Sequence, residues 1–188
     1  MSEQDITRLL ALARDGEPAQ LAAVFEALYP ELLRLANSRL FGNEATLTPT
    51  VLVHELFLRI TQGSPLSLTD RSHFFAVSAQ TMRWILVEHA RRRAAGKHGG
   101  GQVMVHLDDQ IPQSPLANTD VLALEECLEA LETISPQRRK IVELRYFAGL
   151  GVAEIASLLD CSERTIHREW DRARAFLQAM LAGAADGF

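Results

Sequence analysis

Apolar residues recur along this chain at three- and four-residue spacing, the period of one helix face, in one segment after another. Ile6, Leu9 and Leu10 mark a short helix from Asp5 to Arg14, broken by Asp15, Gly16 and Glu17. A longer helix follows from Ala19 to near Leu40, with Leu21, Val24, Phe25, Leu28, Leu32, Leu33 and Leu35 on its buried side. Phe41, Gly42 and Asn43 interrupt the pattern. Thr48 and Pro49 then announce a new helix, a capping hydroxyl followed by a proline at the first helical position, where its missing N–H is harmless. That helix runs to near Ile60 with Leu52, Leu56 and Ile60 in one seam and Phe57 beside it, and Gln62 to Leu68 reads as a loop.

From Asp70 the spacing predicts a long helix that changes character as it goes. Phe74, Phe75, Val77, Trp84 and Leu86 give way to Arg91, Arg92, Arg93 and Lys97 before Gly99, Gly100 and Gly101 end it. Aromatic rings beside arginines suit stacking against a partly single-stranded nucleic acid; taken alone, the segment fits core aromatics and solvated arginines better. Residues 99–119 are polar, carry Pro112 and Pro115, and lack helical period, so they read as a linker. Past it, Val121, Leu124, Leu128 and Leu131 form a clean seam. Ser135 and Pro136 start the next helix, lined inside by Ile141, Leu144 and Phe147 and stopped by Gly149 and Gly151.

The remaining run, VAEIASLLDCSERTIHREWDRARA from Val152 to Ala175, has the spacing of a helix-turn-helix. Ile155, Ala156 and Leu159 give the first helix its apolar face, with Ala153 and Ala156 small enough for a close neighbour. Asp160, Cys161 and Ser162 make the turn. Ile166, Trp170, Ala173 and Leu177 predict the buried stripe of the second helix, which turns Arg164, His167, Arg168, Asp171 and Arg172 outward. Ser162 is placed to cap that helix and Glu163 to meet the positive end of its dipole. Such a face is a solvated surface in many bundles; the turn and helix before it favour a helix lying in the major groove. The fold expected is all-α, two small helical domains at residues 1–98 and 120–182 joined by a linker at 99–119, the second a helix-turn-helix four-helix domain.

Composition narrows the function. A net charge of −5 argues against nonspecific coating of nucleic acid, so DNA contact must come from local basic patches. Cys127 and Cys161 stand apart without metal-ligand spacing, and no signal-like or membrane-length apolar run is apparent, which predicts a cytoplasmic protein with reduced thiols. Cys127 reads as core and Cys161 as a small turn filler. His54 with Glu55 lacks the second histidine of a zinc-protease helix, Glu88 with His89 lacks a partner, and there is no phosphate-binding glycine loop. Neither an enzyme nor a cofactor is expected.

The run SPQRRKIVELRYFAGLGVAEIASLLDCSERTIHREWDRARAFL resembles region 4 of the extracytoplasmic-function (ECF) group of bacterial sigma factors, and VLVHELFLRI resembles the core-binding helix of their region 2. The likeness extends over nearly the whole chain. It implies that the Thr48 to Ile60 helix binds core RNA polymerase through Leu52, Glu55, Leu56 and Arg59. It also implies that the Gln62 to Ser72 loop and the following helix hold the minus-10 element, with Arg83, Trp84, Arg91 and Arg92 as contacts. The minus-35 element would be read by Ser162, Arg164, Thr165, His167, Arg168 and Arg172. Core polymerase and promoter DNA are the implied partners.

One departure from the family pattern matters. Where a run like Asp-Ala-Glu-Asp usually precedes Leu-Val-Gln-Glu, this chain has Thr48, Pro49, Thr50 and Val51 before Leu52, Val53, His54 and Glu55. Three carboxylates are lost, and phosphorylation of a threonine would restore roughly 1.5 to 2 negative charges per site near a helix N-terminus. Thr50 is the first candidate and Thr48 the second, since capping occupies it. A Ser/Thr protein kinase is the implied partner, as in the ECF subgroup that pairs with such kinases, which the MRWILVEHARRR run also resembles. The rival expectations are a conventional helix-turn-helix regulator acting outside polymerase, and an adaptor whose basic face is idle.

Overall fold

The computed structural model describes residues 3–14, 18–41, 47–62, 68–95, 104–105 and 119–185. Its architecture is all-α, as the spacing predicts. The helices are α1 (Glu3–Arg14), α2 (Pro18–Arg39), α3 (Pro49–Gln62), α4 (Arg71–Ala95), α5 (Val121–Ile134), α6 (Pro136–Val142), α7 (Val152–Leu158) and α8 (Glu163–Ala185). A π-helical turn, Glu143–Phe147, continues α6. Of the loop expected at 62–68, Gln62 ends α3 and Leu68 is buried; residues 63–67 and most of the linker lie outside the described residues.

The helices start where the capping chemistry says they should. The Thr48 hydroxyl accepts the Val51 N–H at 3.3 Å ahead of Pro49. Asp70 accepts the His73 N–H at 2.8 Å to open α4. Ser135, extended at φ −159°, accepts the Arg138 N–H at 3.3 Å, with Pro136 first in α6. Each bond satisfies one of the N–H groups a helix start leaves without an intrahelical partner.

Helices α1 to α4 enclose Leu10, Val24, Leu28, Leu32, Leu52, Leu56 and Leu86. Phe25 lies edge-on to Phe57 and Phe74, with centroids 5.0 and 5.2 Å apart. Helices α5 to α8 enclose a second set, Leu124, Leu128, Ile141, Leu144, Phe147, Ile155, Ile166 and Leu177. The two sets are continuous through α4, which packs on α3 on one side and on α5 and the π turn on another. The sequence of α4 fits that position: buried residues fall all around it, from Phe74 and Phe75 to Met82, Ile85, Leu86 and Val87.

Three two-residue strands add to the helices: β1 (Leu40–Phe41), β2 (Met104–Val105) and β3 (Thr119–Asp120), in the order β1-β2-β3 and antiparallel throughout. Leu40 pairs with Val105, and Val105 with Thr119. The stretch expected to be a plain linker therefore joins the end of α2 to the start of α5. Gly149, at φ +68°, turns the chain between the π turn and α7, where an added Cβ would meet Leu35 Cδ1 of α2 at 3.4 Å.

Because Phe74 is fully buried between Phe25 and Phe75, Phe74→Ala is expected to lower the free energy of unfolding by about 3–5 kcal/mol, read from urea denaturation followed by helical circular dichroism.

Candidate nucleic-acid interface

The turn between α7 and α8 is built by backbone bonds and one left-handed residue. Asp160 adopts φ +49°, a conformation that aspartate tolerates better than most side chains, and the Cys161 N–H returns to the Ala156 carbonyl at 3.0 Å. Ser162 then caps α8, accepting the Thr165 N–H at 3.1 Å and sharing a hydroxyl bond with Thr165 at 2.9 Å. Ser162 and Thr165 are thus engaged with each other at the helix start. Arg164, His167, Arg168, Asp171 and Arg172 are exposed along α8, as their spacing predicts. Ile155 and Ala156 bury α7, while Ala153 is exposed.

The buried stripe of α8 differs from expectation by one residue. It is Ile166, Glu169, Ala173 and Leu177, and Trp170 is only half-buried. Trp170 stacks on Tyr146 at 6.2 Å with the Arg145 guanidinium 5.1 Å over its ring. Glu169 is 7% exposed and receives three arginines: Arg138 Nε at 2.8 Å on one oxygen, Arg168 Nε and Arg172 Nη1 at 3.0 Å on the other. Hydrogen bonds from Arg138 and then Arg168 hold its pKa below the ordinary value, against the opposing effect of burial. Both i+3 and i+4 from Ile166 face the same side of a helix, so spacing alone could not tell Glu169 from Trp170.

Helix α3 presents a different face from the one expected. Leu52 and Leu56 are fully buried against the core, because the seam they form with Ile60 is what holds α3 to its neighbours; they are not available to a partner. The outward side carries Val51, His54, Leu58 and Arg59, with Glu55 half-buried. Val51, Glu55 and Leu58 lie at i, i+4 and i+7, a stripe of exposed apolar surface around one carboxylate. No acidic residue stands in the first turn of α3, and Thr48 and Thr50 are both exposed there. Arg59 pairs with Glu88 of α4, which also pairs with Arg92.

On α4 the expected minus-10 residues separate. Trp84 is 51% exposed and Arg91 and Arg92 are exposed near the helix end. Arg83 is 1% exposed and cannot reach DNA in this arrangement. It is ion-paired with Glu125 of α5 and with Glu143 of the π turn at 3.2 Å, and Arg139 adds bonds to Glu143 at 3.1 Å and Glu132 at 3.4 Å. Successive helical residues point about 100° apart, so Arg83 faces α5 while Trp84 faces out. Phe74 and Phe75 are core residues, not stacking surface. Trp84, Gln80 and His73 line one wall of a cleft of about 670 Å³, with Arg139, Lys140 and Glu132 on the other.

A tight turn between two short-spaced helices, a basic outward face and a bracing helix bundle beneath it define a helix-turn-helix protein. The ECF sigma factor family model matches residues 3–183, and the chain belongs to that family. No individual curated protein matches it. Membership makes it an RNA polymerase sigma factor by class, with core polymerase and promoter DNA as the partners the family implies, in a family that is not catalytic. Among the described residues no helix is long and apolar enough to cross a membrane.

Two outcomes follow from this geometry. Arg83→Met leaves buried Glu125 and partly buried Glu143 with only Arg139 to balance them, and is expected to cost about 3–5 kcal/mol in urea unfolding; adding Glu125→Gln and Glu143→Gln is expected to recover much of it. Glu88 and Glu169 are held below their ordinary value of 4.5, by Arg59 and Arg92 and by Arg138 and Arg168 respectively. A carboxylate depressed in the folded state contributes stability that is present above its unfolded pKa and lost as pH falls through the folded one. Stability is therefore expected to hold above pH 4.5 and decline below it, with a shallower decline in Glu169→Gln when urea midpoints are compared across that range.

Proposed function

We propose that this protein directs core RNA polymerase to promoters with a minus-10 and a minus-35 element, and that a Ser/Thr kinase controls it by phosphorylating Thr50, or Thr48, on the polymerase-facing helix. Residues 1–98 form the domain that meets polymerase and the minus-10 element, and residues 120–182 the domain that reads the minus-35 element; both act in the cytoplasm. The observation that carries the reading is the basic outward face of α8, with Arg164, His167, Arg168 and Arg172 exposed behind the Asp160 turn.

Polymerase contact falls to Val51, Glu55, Leu58 and Arg59, the accessible side of α3. The charge switch is supported by two facts: the first turn of α3 holds no carboxylate, and Thr50 is exposed there. The Thr48 hydroxyl accepts the Val51 N–H, which makes Thr50 the freer acceptor of a phosphate. A phosphate at this helix start gains from the dipole as well as restoring the missing charge. Trp84, Arg91 and Arg92 meet the minus-10 element.

Both elements cannot be reached from the compact form. About 25 base pairs separate them, roughly 85 Å of duplex at 3.4 Å per pair, whereas a globule of this length is roughly 40 Å across. The reading therefore requires α4 to part from α5 and the π turn when polymerase binds. The chain between Ala95 and Val121 has the contour length for it, at about 3.3–3.6 Å per residue.

Promoter-directed transcription with core polymerase tests the reading. Wild type is expected to be nearly silent, Thr50→Glu and kinase-treated protein active, and the Thr48→Ala, Thr50→Ala double variant silent after kinase treatment. Equal activity in all four would remove the charge switch and leave a sigma factor controlled elsewhere. No initiation from any of them, with helical signal intact, would favour a conventional helix-turn-helix regulator.

A further inference from the structure

A carboxylate inside the apolar stripe of a recognition helix is an expensive choice unless it is fully paired, since an ionised group out of water loses its hydration. Glu169 meets that condition with both oxygens. One accepts from Arg138, which stands on α6, and the other from Arg168 and Arg172, which stand one residue before it and three residues after it on α8. Three cations from two helices thus converge on one buried point. Without a negative centre they would repel one another and swing apart.

The bonds leave the outer arginines usable. Arg168 is held through Nε and Arg172 through one Nη, and a guanidinium has five N–H donors. Their side chains remain 57% and 55% exposed. Each is therefore fixed at its inner edge and open at its outer one, the condition under which a long side chain loses least freedom on meeting a phosphate or a base edge. Arg138, at 25% exposure, braces the carboxylate from α6.

We infer that Glu169 is a positioning residue for promoter recognition: it sets Arg168 and Arg172 in a fixed fan on the outward face of α8 and ties that helix to α6 through Arg138. The role rests on the reading of α8 as the DNA-reading helix. Its depressed pKa agrees with this, because the carboxylate stays charged wherever the arginines need it. Discrimination between sequences depends on where a guanidinium is held, whereas general attraction to DNA depends on how much positive charge is near. Removing Glu169 therefore has opposite effects on the two.

The test uses the full chain assembled with core polymerase. A duplex selected by the wild-type holoenzyme from a pool randomised at the upstream element is compared with the same duplex after scrambling that element, over a range of salt. Glu169→Gln keeps the side-chain shape and removes the charge. The expected result is a fall of about tenfold or more in discrimination, of the order one misplaced base-reading arginine produces, with affinity for the scrambled duplex unchanged or raised. In an Arg168→Ala, Arg172→Ala background the same substitution is expected to do nothing further, the non-additivity of residues that act together. Glu169→Asp retains the charge but is one methylene shorter, and is expected to fall between wild type and Glu169→Gln; it carries the test if Glu169→Gln loses its helical signal.

Equal losses on both duplexes would mean a merely structural role and overturn the inference, as would wild-type discrimination in Glu169→Gln, or an undiminished effect in the double-alanine background. A wild-type holoenzyme that selects no duplex would instead overturn the sigma reading itself.

Discussion

The arrangement turns on a buried guanidinium. Arg83 sits almost wholly out of water on α4, and the groups that make this tolerable, Glu125 and Glu143, belong to α5 and the π turn. Burying an ion is costly unless its geometry is well met, and the gain in net stability from such a pair is small; its directional demand is large. Only one placement of α5 and the π turn brings both carboxylates to Arg83 with Arg139 closing the group from the outer side. The satisfaction is incomplete. Among the described residues, Arg83 Nε and Ser78 Oγ, both on α4, are buried without a hydrogen-bond partner. The contact thus specifies position strongly while leaving donors unmet.

Smaller bonds repeat the pattern along the same boundary. Arg71, at the start of α4, pairs with Glu31 of α2 and reaches Glu154 of α7 at 3.8 Å, and its guanidinium lies 4.8 Å over the Phe75 ring. Glu154 also accepts the Gly151 N–H at 2.8 Å at the start of α7. Charged groups thus add to the apolar contact between α4 and the second half, Arg83 at the middle of α4 and Arg71 at its start. Cys127, by contrast, lies in the apolar body of α5, where burial and then the charge of Glu126 push its thiol pKa up and keep it unreactive.

Helix positions, caps and the buried seams of α3, α5 and α6 were legible in the sequence, because spacing and start signals are local and Thr48, Asp70 and Ser135 do locally what their chemistry suggests. Side-chain roles were less so. Leu52 and Leu56 look like a contact surface and a core seam equally well, and only the packing of α3 decides between them. Arg83 sits in a run with Trp84 and ahead of three arginines, where charge suggests exposure; its partners are 42 and 60 residues further on, and no local pattern announces them. Glu169 was hidden for a similar reason. A glutamate next to a tryptophan in a buried stripe is assigned to solvent by composition, and the arginine that holds it from α6 lies 31 residues upstream.

The π turn at Glu143–Phe147 has one more consequence. Its first carbonyl accepts from Ala148, five residues on at 3.1 Å, so the helix carries one residue more than its length in α-helical turns would allow. Arg139 ahead of the turn and Glu143 at its first position face the Arg83 cluster, whereas Arg145 and Tyr146 further into it face the Trp170 ring. An uninterrupted α-helix would be in step with one of these surfaces and out of step with the other. This segment therefore works as a gear between two surfaces of different pitch, and the loss of a single residue from it would put the Trp170 contact out of phase with the Arg83 cluster.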